Sequence, residues 1–241
     1  MTDPLENFAD DVRLYVIGDI HGRSDLLDRI VDEISRDIEQ QRGGECLTIT
    51  LGDYVDRGPD SRGVLDRLAR NPFPTNYVAL KGNHEVLFET FLRDPSAGDT
   101  WRRLGGLETL VSYGVPVNEL MLGKGFESAA RALRAAVPRE HSTFLSALKP
   151  SLSIGGWFLC HAGVRPGVPL ESQRLEDLLW IRDEFLNSTA DFGKTVIHGH
   201  SPREWPDVRP NRINIDTGAF ATGRLTCLVV NGERGRFLFT G

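Results

Sequence analysis

Short β-branched and apolar runs that stop at a glycine recur along the chain: "RLYVIGD", "CLTITLGD", "NYVALKGNHE", "GWFLCHAG", "TVIHGHSP" and "RINIDTGAF". Each predicts a buried strand ending in a turn. Between the first of them the apolar positions switch to helical spacing, with Leu26, Leu27, Ile30, Ile34 and Ile38 inside 24–41 and Val64, Leu65 and Leu68 inside 60–70. Strand, helix and strand in succession predict parallel pairing through right-handed crossovers. From about Asn211 the short runs "RINID", "LTCLVV" and "RFLFT" follow closely on one another, which predicts a meander. Helical patterns, "FESAARALRAAV" among them, dominate from Glu85 to Pro150. The expected fold is α/β with mixed sheets, one domain over 1–241 with a helical insertion at about 86–150.

The polar residues fall where the strands end. Asp19 and His21 follow the first strand, Asp53 and Asp56 the second, Asn83 and His84 the third, His161 a later one, and His198 and His200 another. Five of the six histidines thus sit in strand-end turns, where turn chemistry alone asks for Asn, Asp and Gly. In open α/β sheets ligands bind outside the carboxyl ends of the strands, so these turns are expected to converge. Carboxylates and imidazoles crowded together repel and are costly to desolvate unless cations compensate them. An oxygen and imidazole set without thiolate suits manganese, iron, zinc or a similar divalent ion.

Composition narrows the classes. The net charge of -6 is spread over interleaved acids and bases, so no basic face offers itself to a nucleic acid. No stretch is long and apolar enough for a membrane span, and the opening "MTDPLENFADD" lacks the basic start and apolar core of a leader, so a cytoplasmic location is the expectation. Cys46, Cys160 and Cys227 have no paired spacing and read as core thiols. His141 reads as a surface or capping residue, and the four tryptophans as core or rim packing. No G-x-S-x-G, P-loop or G-x-G-x-x-G is present.

"GDIHG" (18–22), "GDYVDRG" (52–58), "GNHE" (82–85), "HAG" (161–163) and "GHSP" (199–202), in this order, resemble the calcineurin-like metallophosphoesterases. Within them the chain is most similar to the bacterial and phage branch of the PPP-type serine/threonine protein phosphatases. The resemblance implies a four-layer α/β/β/α sandwich enclosing two divalent ions, manganese foremost, with iron or zinc as alternatives. It places Asp19 and His21 on one ion, Asp53 between both, and Asn83, His161 and His200 on the other. It makes a metal-bridging water the nucleophile, His84 the proton donor to the leaving alkoxide and Asp56 the carboxylate that orients His84. Arg57, Arg182 in "LLWIRDEF" and Lys81 are the implied substrate contacts, although Lys81 stands where many relatives carry arginine. His198 shares a strand face with His200, which brings it toward the site to support the ligands or to contact substrate, with metal binding or packing as the alternatives.

The activity so implied is hydrolysis of phosphoserine and phosphothreonine in proteins, with a phosphoprotein or a small phosphorylated molecule as partner. Hydrolysis of symmetrical dinucleoside tetraphosphates is the alternative; those enzymes commonly carry glutamine where this chain has His21. A metal-binding scaffold without turnover is the third reading, against which the retained His84, Asp56 and Arg57 argue.

Overall fold

A computed structural model describes residues 12–41, 43–232 and 234–240, so the leading "MTDPLENFADD" lies outside the described residues. In chain order β1 (Arg13–Ile17), α1 (Ser24–Gln40), β2 (Cys46–Thr50), α2 (Ser61–Leu68), β3 (Asn76–Ala79) and α3 (Asn83–Arg93) come first. A helical stretch follows: α4 (Gly98–Trp101), a kinked turn over Arg102–Gly106, α5 (Leu107–Ser112), α6 (Asn118–Met121), α7 (Phe126–Ala136) and α8 (Arg139–Ser146). Then come β4 (Ser151–Ile154), β5 (Trp157–Cys160), α9 (Leu175–Trp180), α10 (Asp183–Leu186), β6 (Thr195–His198), β7 (Asp207–Arg209), β8 (Arg212–Asn214), α11 (Ala219–Thr222), β9 (Thr226–Asn231) and β10 (Arg234–Phe239).

Two five-stranded mixed sheets result, ordered β10-β9-β1-β2-β3 and β4-β5-β6-β8-β7. Each holds a parallel trio, β1-β2-β3 in one and β5-β6-β8 in the other. The tail departs from the expected meander. "RINID" joins the second sheet beside β6, while "LTCLVV" and "RFLFT" form an antiparallel hairpin on the edge of the first. Gly218 and Gly223, both left-handed, bracket α11 between them, and this short helix carries the chain from one sheet to the other.

Strand alternation explains the layering. Leu14, Val16, Leu47 and Ile49 of the first sheet pack with Leu152, Leu159, Ile197 and Ile213 of the second, filling the space between the sheets. The opposite face of β1, Tyr15 and Ile17, packs on the helices, with Leu26, Leu27, Ile30 and Ile34 of α1. Burying each such aliphatic side chain contributes about 1.5–3 kcal/mol. The second sheet turns Phe158, Cys160 and Val196 toward Leu178, Ile181 and Phe185 on its outer side. The molecule is therefore an α/β/β/α stack, and the helical stretch extends its first layer: Phe88, Trp101, Leu110, Leu133 and Leu145 belong to the same apolar cluster as α1.

One expectation fails in that stretch. His141 is not a surface residue; it is 1% exposed, because α8 lies against α2 and brings it between two partners. Tyr113 donates its hydroxyl to His141 Nδ1 at 2.7 Å, and His141 Nε2–H donates to Asp66 at 3.0 Å.

Candidate metal centre and acid dyad

The parallel registers level the strand ends: Ile17 faces Thr50, Thr50 faces Ala79, and His198 faces Asn214. Every turn that follows them opens on the same end of the sandwich, and backbone hydrogen bonds tie the turns together. Ile20 and His21 donate to Asp53 O, Gly199 donates to His161 O, and Ile215 donates to His198 O. The packing is tight enough that glycine is required at the contacts. Gly52 has φ +105°, and a Cβ there would stand 2.4 Å from Gly82 N; a Cβ at Gly199 would stand 2.0 Å from Asp19 Oδ1.

Other turn residues pay a conformational cost. His21, Asp53, Asp56, Arg57 and His200 all have φ between +43° and +73°; among the described residues Asn71 is the remaining non-glycine with positive φ. A left-handed side-chain-bearing residue costs about 1–2 kcal/mol, so strain is concentrated at this one place and must be offset locally. Glu85 supplies part of the offset. From the first turn of α3 its buried carboxylate accepts N–H groups of Asp53 (2.9 Å), Tyr54 (2.7 Å), Val55 (3.3 Å) and Gly82 (2.9 Å).

Asp53 lies at the middle of the cluster. Its Oδ2 is 3.4 Å from His21 Nε2, and its Oδ1 is 3.3 Å from His161 Nε2 and accepts His84 N–H at 3.1 Å. His21 Nδ1–H donates to Val55 O at 2.8 Å, which leaves Nε2 bare, buried and without a hydrogen-bond partner; His200 Nε2 is in the same condition. His161 Nδ1–H donates across the two sheets to Leu51 O at 3.1 Å, so its Nε2 is turned to Asn83 Oδ1 at 2.9 Å, with His200 Nδ1 at 3.2 Å. Backbone carbonyls fixing the far nitrogen of an imidazole are the usual device for orienting a metal ligand. Asp19, 3% exposed, accepts the His200 N–H at 3.1 Å.

Electron pairs turned inward on one another call for positive charge. Burial opposes ionisation of Asp53, but His161, His84 and His21 outweigh it and hold the carboxyl well below its ordinary value. Burial likewise opposes charge on His161, yet Asp53 and then Asp19 hold it up at about 9. Asp19 is raised well above its ordinary value by burial and then by Asp216. Burial presses His200 down to about 2, the state of a bare ligand nitrogen. Within the described residues the side chains of His21, Asp53 and His84, and of Asp53, His161 and His200, each converge to the spacing of a metal site. The donor set fits two divalent ions sharing Asp53.

His84 differs from the imidazoles around Asp53 in its partners, a buried carboxylate on one nitrogen and a guanidinium on the other. Nδ1–H donates to Asp56 Oδ2 at 2.7 Å, and Nε2 faces Arg57 Nη2 at 3.0 Å. Arg57 is half-buried, with its guanidinium 5.1 Å from the Phe220 ring. The remaining expected contacts are dispersed. Arg182 is exposed beside the cluster and donates to Ser201 Oγ at 3.3 Å. Lys81 is turned along α3 to an ion pair with Glu89 at 2.9 Å. His198 is fully buried, its ring 4.9 Å from Phe185, and burial lowers it to about 3.

Sequence reasoning missed Asp216, which is 2% exposed, accepts Gly218 N–H at 2.9 Å and is raised by burial. The signal was present: "RINIDTG" ends a strand with an acid and a glycine, as "GDIHG" and "GDYVDRG" do. It also passed over Glu85, within a motif already singled out.

Comparison with known proteins agrees with this geometry. The family described as Calcineurin-like phosphoesterase matches residues 12–225. Serine/threonine-protein phosphatase 2 of Salmonella typhimurium is 28% identical over 228 residues, covering 88% of this chain and 90% of that protein. The asymmetrical bis(5'-nucleosyl)-tetraphosphatase PrpE of Anoxybacillus flavithermus is 25% identical over 232 residues, covering 88% of each. Among solved structures, the cold-active protein-tyrosine phosphatase of a Shewanella species superposes with a TM-score of 0.60 at 15% identity, over 99% of this chain and 85% of that one.

Proposed function

Given that the chain belongs to the calcineurin-like phosphoesterase family, we propose that it is a two-metal phosphomonoesterase acting on phosphoserine and phosphothreonine in proteins, with manganese as its ions. The observation that carries this reading is the pairing of His84 with Asp56 and Arg57 beside a cluster of inward-facing acceptors. Asp19, His21 and Asp53 would hold one ion, and Asp53, Asn83, His161 and His200 the other. Bound there, the ions would supply a water of lowered pKa as nucleophile and neutralise charge on the phosphoryl group.

The chain's own residues do the rest. Arg57 presents a planar fork that fits phosphoryl oxygens, and its contact with Phe220 keeps the fork at the mouth. A phosphate that engages Arg57 frees His84 Nε2, and a proton carried there is aimed at the leaving oxygen. Asp56 accepts from the opposite nitrogen and so stabilises the charged ring. An acid placed this way contributes about 10²–10⁴-fold. With Nδ1–H on the Asp56 carboxylate and Nε2 beside the Arg57 guanidinium, His84 suits the acid role, whereas the bare Nε2 atoms of His21 and His200 suit ligation.

Hydrolysis of a dinucleoside tetraphosphate is the second reading. It is favoured by two exposed aromatic rings beside the cluster, Phe220 at 5.6 Å from His21 and Trp180 at 6.3 Å from His200, which are placed to stack on bases. Offering the manganese-loaded protein a phosphothreonine peptide and diadenosine tetraphosphate together separates the two. Phosphate from the peptide with the dinucleotide intact is the expected result; rapid release of nucleotide with the peptide intact would replace the first reading by the second.

A further inference from the structure

The helical stretch after α3 does more than wall the cleft. Asp56 is fully buried, and its carboxylate accepts three hydrogen bonds: His84 Nδ1–H and Trp101 Nε1–H at Oδ2 (2.7 and 2.8 Å), and the Thr109 hydroxyl at Oδ1 (2.7 Å). Two of these donors come from the helical stretch. Thr109 Oγ1 also accepts the Asp56 N–H at 2.9 Å, and it lies 2.9 Å from Ser61 Oγ, which accepts the same N–H at 3.0 Å. One residue further on, Arg57 N–H donates to Gly105 O at 3.1 Å. Gly105 has φ +105° at the kink between α4 and α5, and a Cβ there would stand 2.7 Å from Arg57 N.

Resting on the phosphoesterase reading above, we infer that Trp101 and Thr109 are positioning residues for the acid: they fix the Asp56 carboxylate so that it orients His84. A carboxylate can rotate about its Cβ–Cγ bond, and a single accepted bond from an imidazole does not stop it. Donors on both oxygens, from two points of another element, fix the plane and satisfy a buried charge that is otherwise costly. Trp101 cannot shift to follow a wandering carboxylate, because it is 1% exposed and its ring packs 4.7 Å from Phe91 and 5.9 Å from Phe88 on α3, the helix that carries His84. The same helix is thus held at its first turn by Asp56 and along its side by the residue that anchors Asp56. The kink at Gly105 spaces Trp101 and Thr109 so that both reach one side chain.

The test uses donor-deleting variants of the full manganese-loaded chain. Trp101→Phe removes the indole donor, Thr109→Val removes the hydroxyl, and Thr109→Ser restores it. Dinitrophenyl phosphate has a leaving group that needs no proton, whereas phenyl phosphate has one that does. Trp101→Phe and Thr109→Val should lower kcat on phenyl phosphate by about tenfold or more while changing the dinitrophenyl rate far less, and Thr109→Ser should recover the wild-type ratio. Equal losses on both substrates, or none, would overturn the inference and leave the two residues as packing. A second readout needs no turnover: in zinc-loaded protein with isotope-labelled histidine, the His84 Nδ1–H resonance, assigned with His84→Asn, should be lost to exchange in both disruptive variants. If the wild type hydrolyses neither ester, the phosphoesterase reading fails, and that resonance alone decides the positioning: its persistence in the variants overturns it.

Discussion

At the scale of single residues the site is assembled from unfavourable choices that neighbours offset. Five side-chain-bearing residues adopt left-handed backbone, and Glu85 holds the turn that contains Asp53 by accepting four N–H groups. A glutamine there has one acceptor oxygen and turns an NH₂ toward donors. Glu85→Gln should therefore cost about 1–3 kcal/mol in urea unfolding of the metal-free chain, and an unchanged midpoint and slope would refute that role. That the site's side chains cluster was legible in the sequence because histidine has no place in ordinary turn formation. Asp216 escaped because its strand was read only as part of a meander, and Trp101 and Thr109 escaped because their partner, Asp56, is 45 and 53 positions away.

Among the elements, strands were easier to read than their partners. Each glycine-terminated run is a strand, yet the tail strands divide between two sheets, since local pattern says nothing about which edge a strand joins. The insertion's contacts were hidden for the same reason. His141 joins α8 to α2 through Asp66, and to Tyr113 after α5, as a neutral ring whose single proton points to Asp66. Burial pushes its pKa below the ordinary 6.5, against the pull of Asp66. Below pH 6.5 the unfolded chain takes up a proton that the folded chain refuses, so this residue's stabilisation is fully present above 6.5 and is lost as pH falls toward the lowered value. His141→Gln should be less stable than wild type at pH 7.5, with the gap narrowing by at most about 1.4 kcal/mol per pH unit on acidification below 6.5. A gap that stays constant across that range would contradict the neutral assignment.

The whole molecule is two parallel trios set face to face, so that strand ends far apart in sequence meet at one rim. Their convergence was legible from the repeated placement of Asp, Asn and His after apolar runs; the tight backbone contacts that make it possible, such as Gly52 on Gly82 and Gly199 on Asp19, were not, because they depend on how the two sheets stack. Among the described residues no helix is long and apolar enough to cross a membrane. The central claim is that this rim holds two ions with Asp53 shared between them. Its most direct test is the number of manganese ions bound per chain at equilibrium, in the wild type and in Asp53→Asn. Two ions in the wild type and neither held tightly in the variant is the predicted outcome. A wild type that binds one ion or none, or a variant that still binds two, would contradict the account.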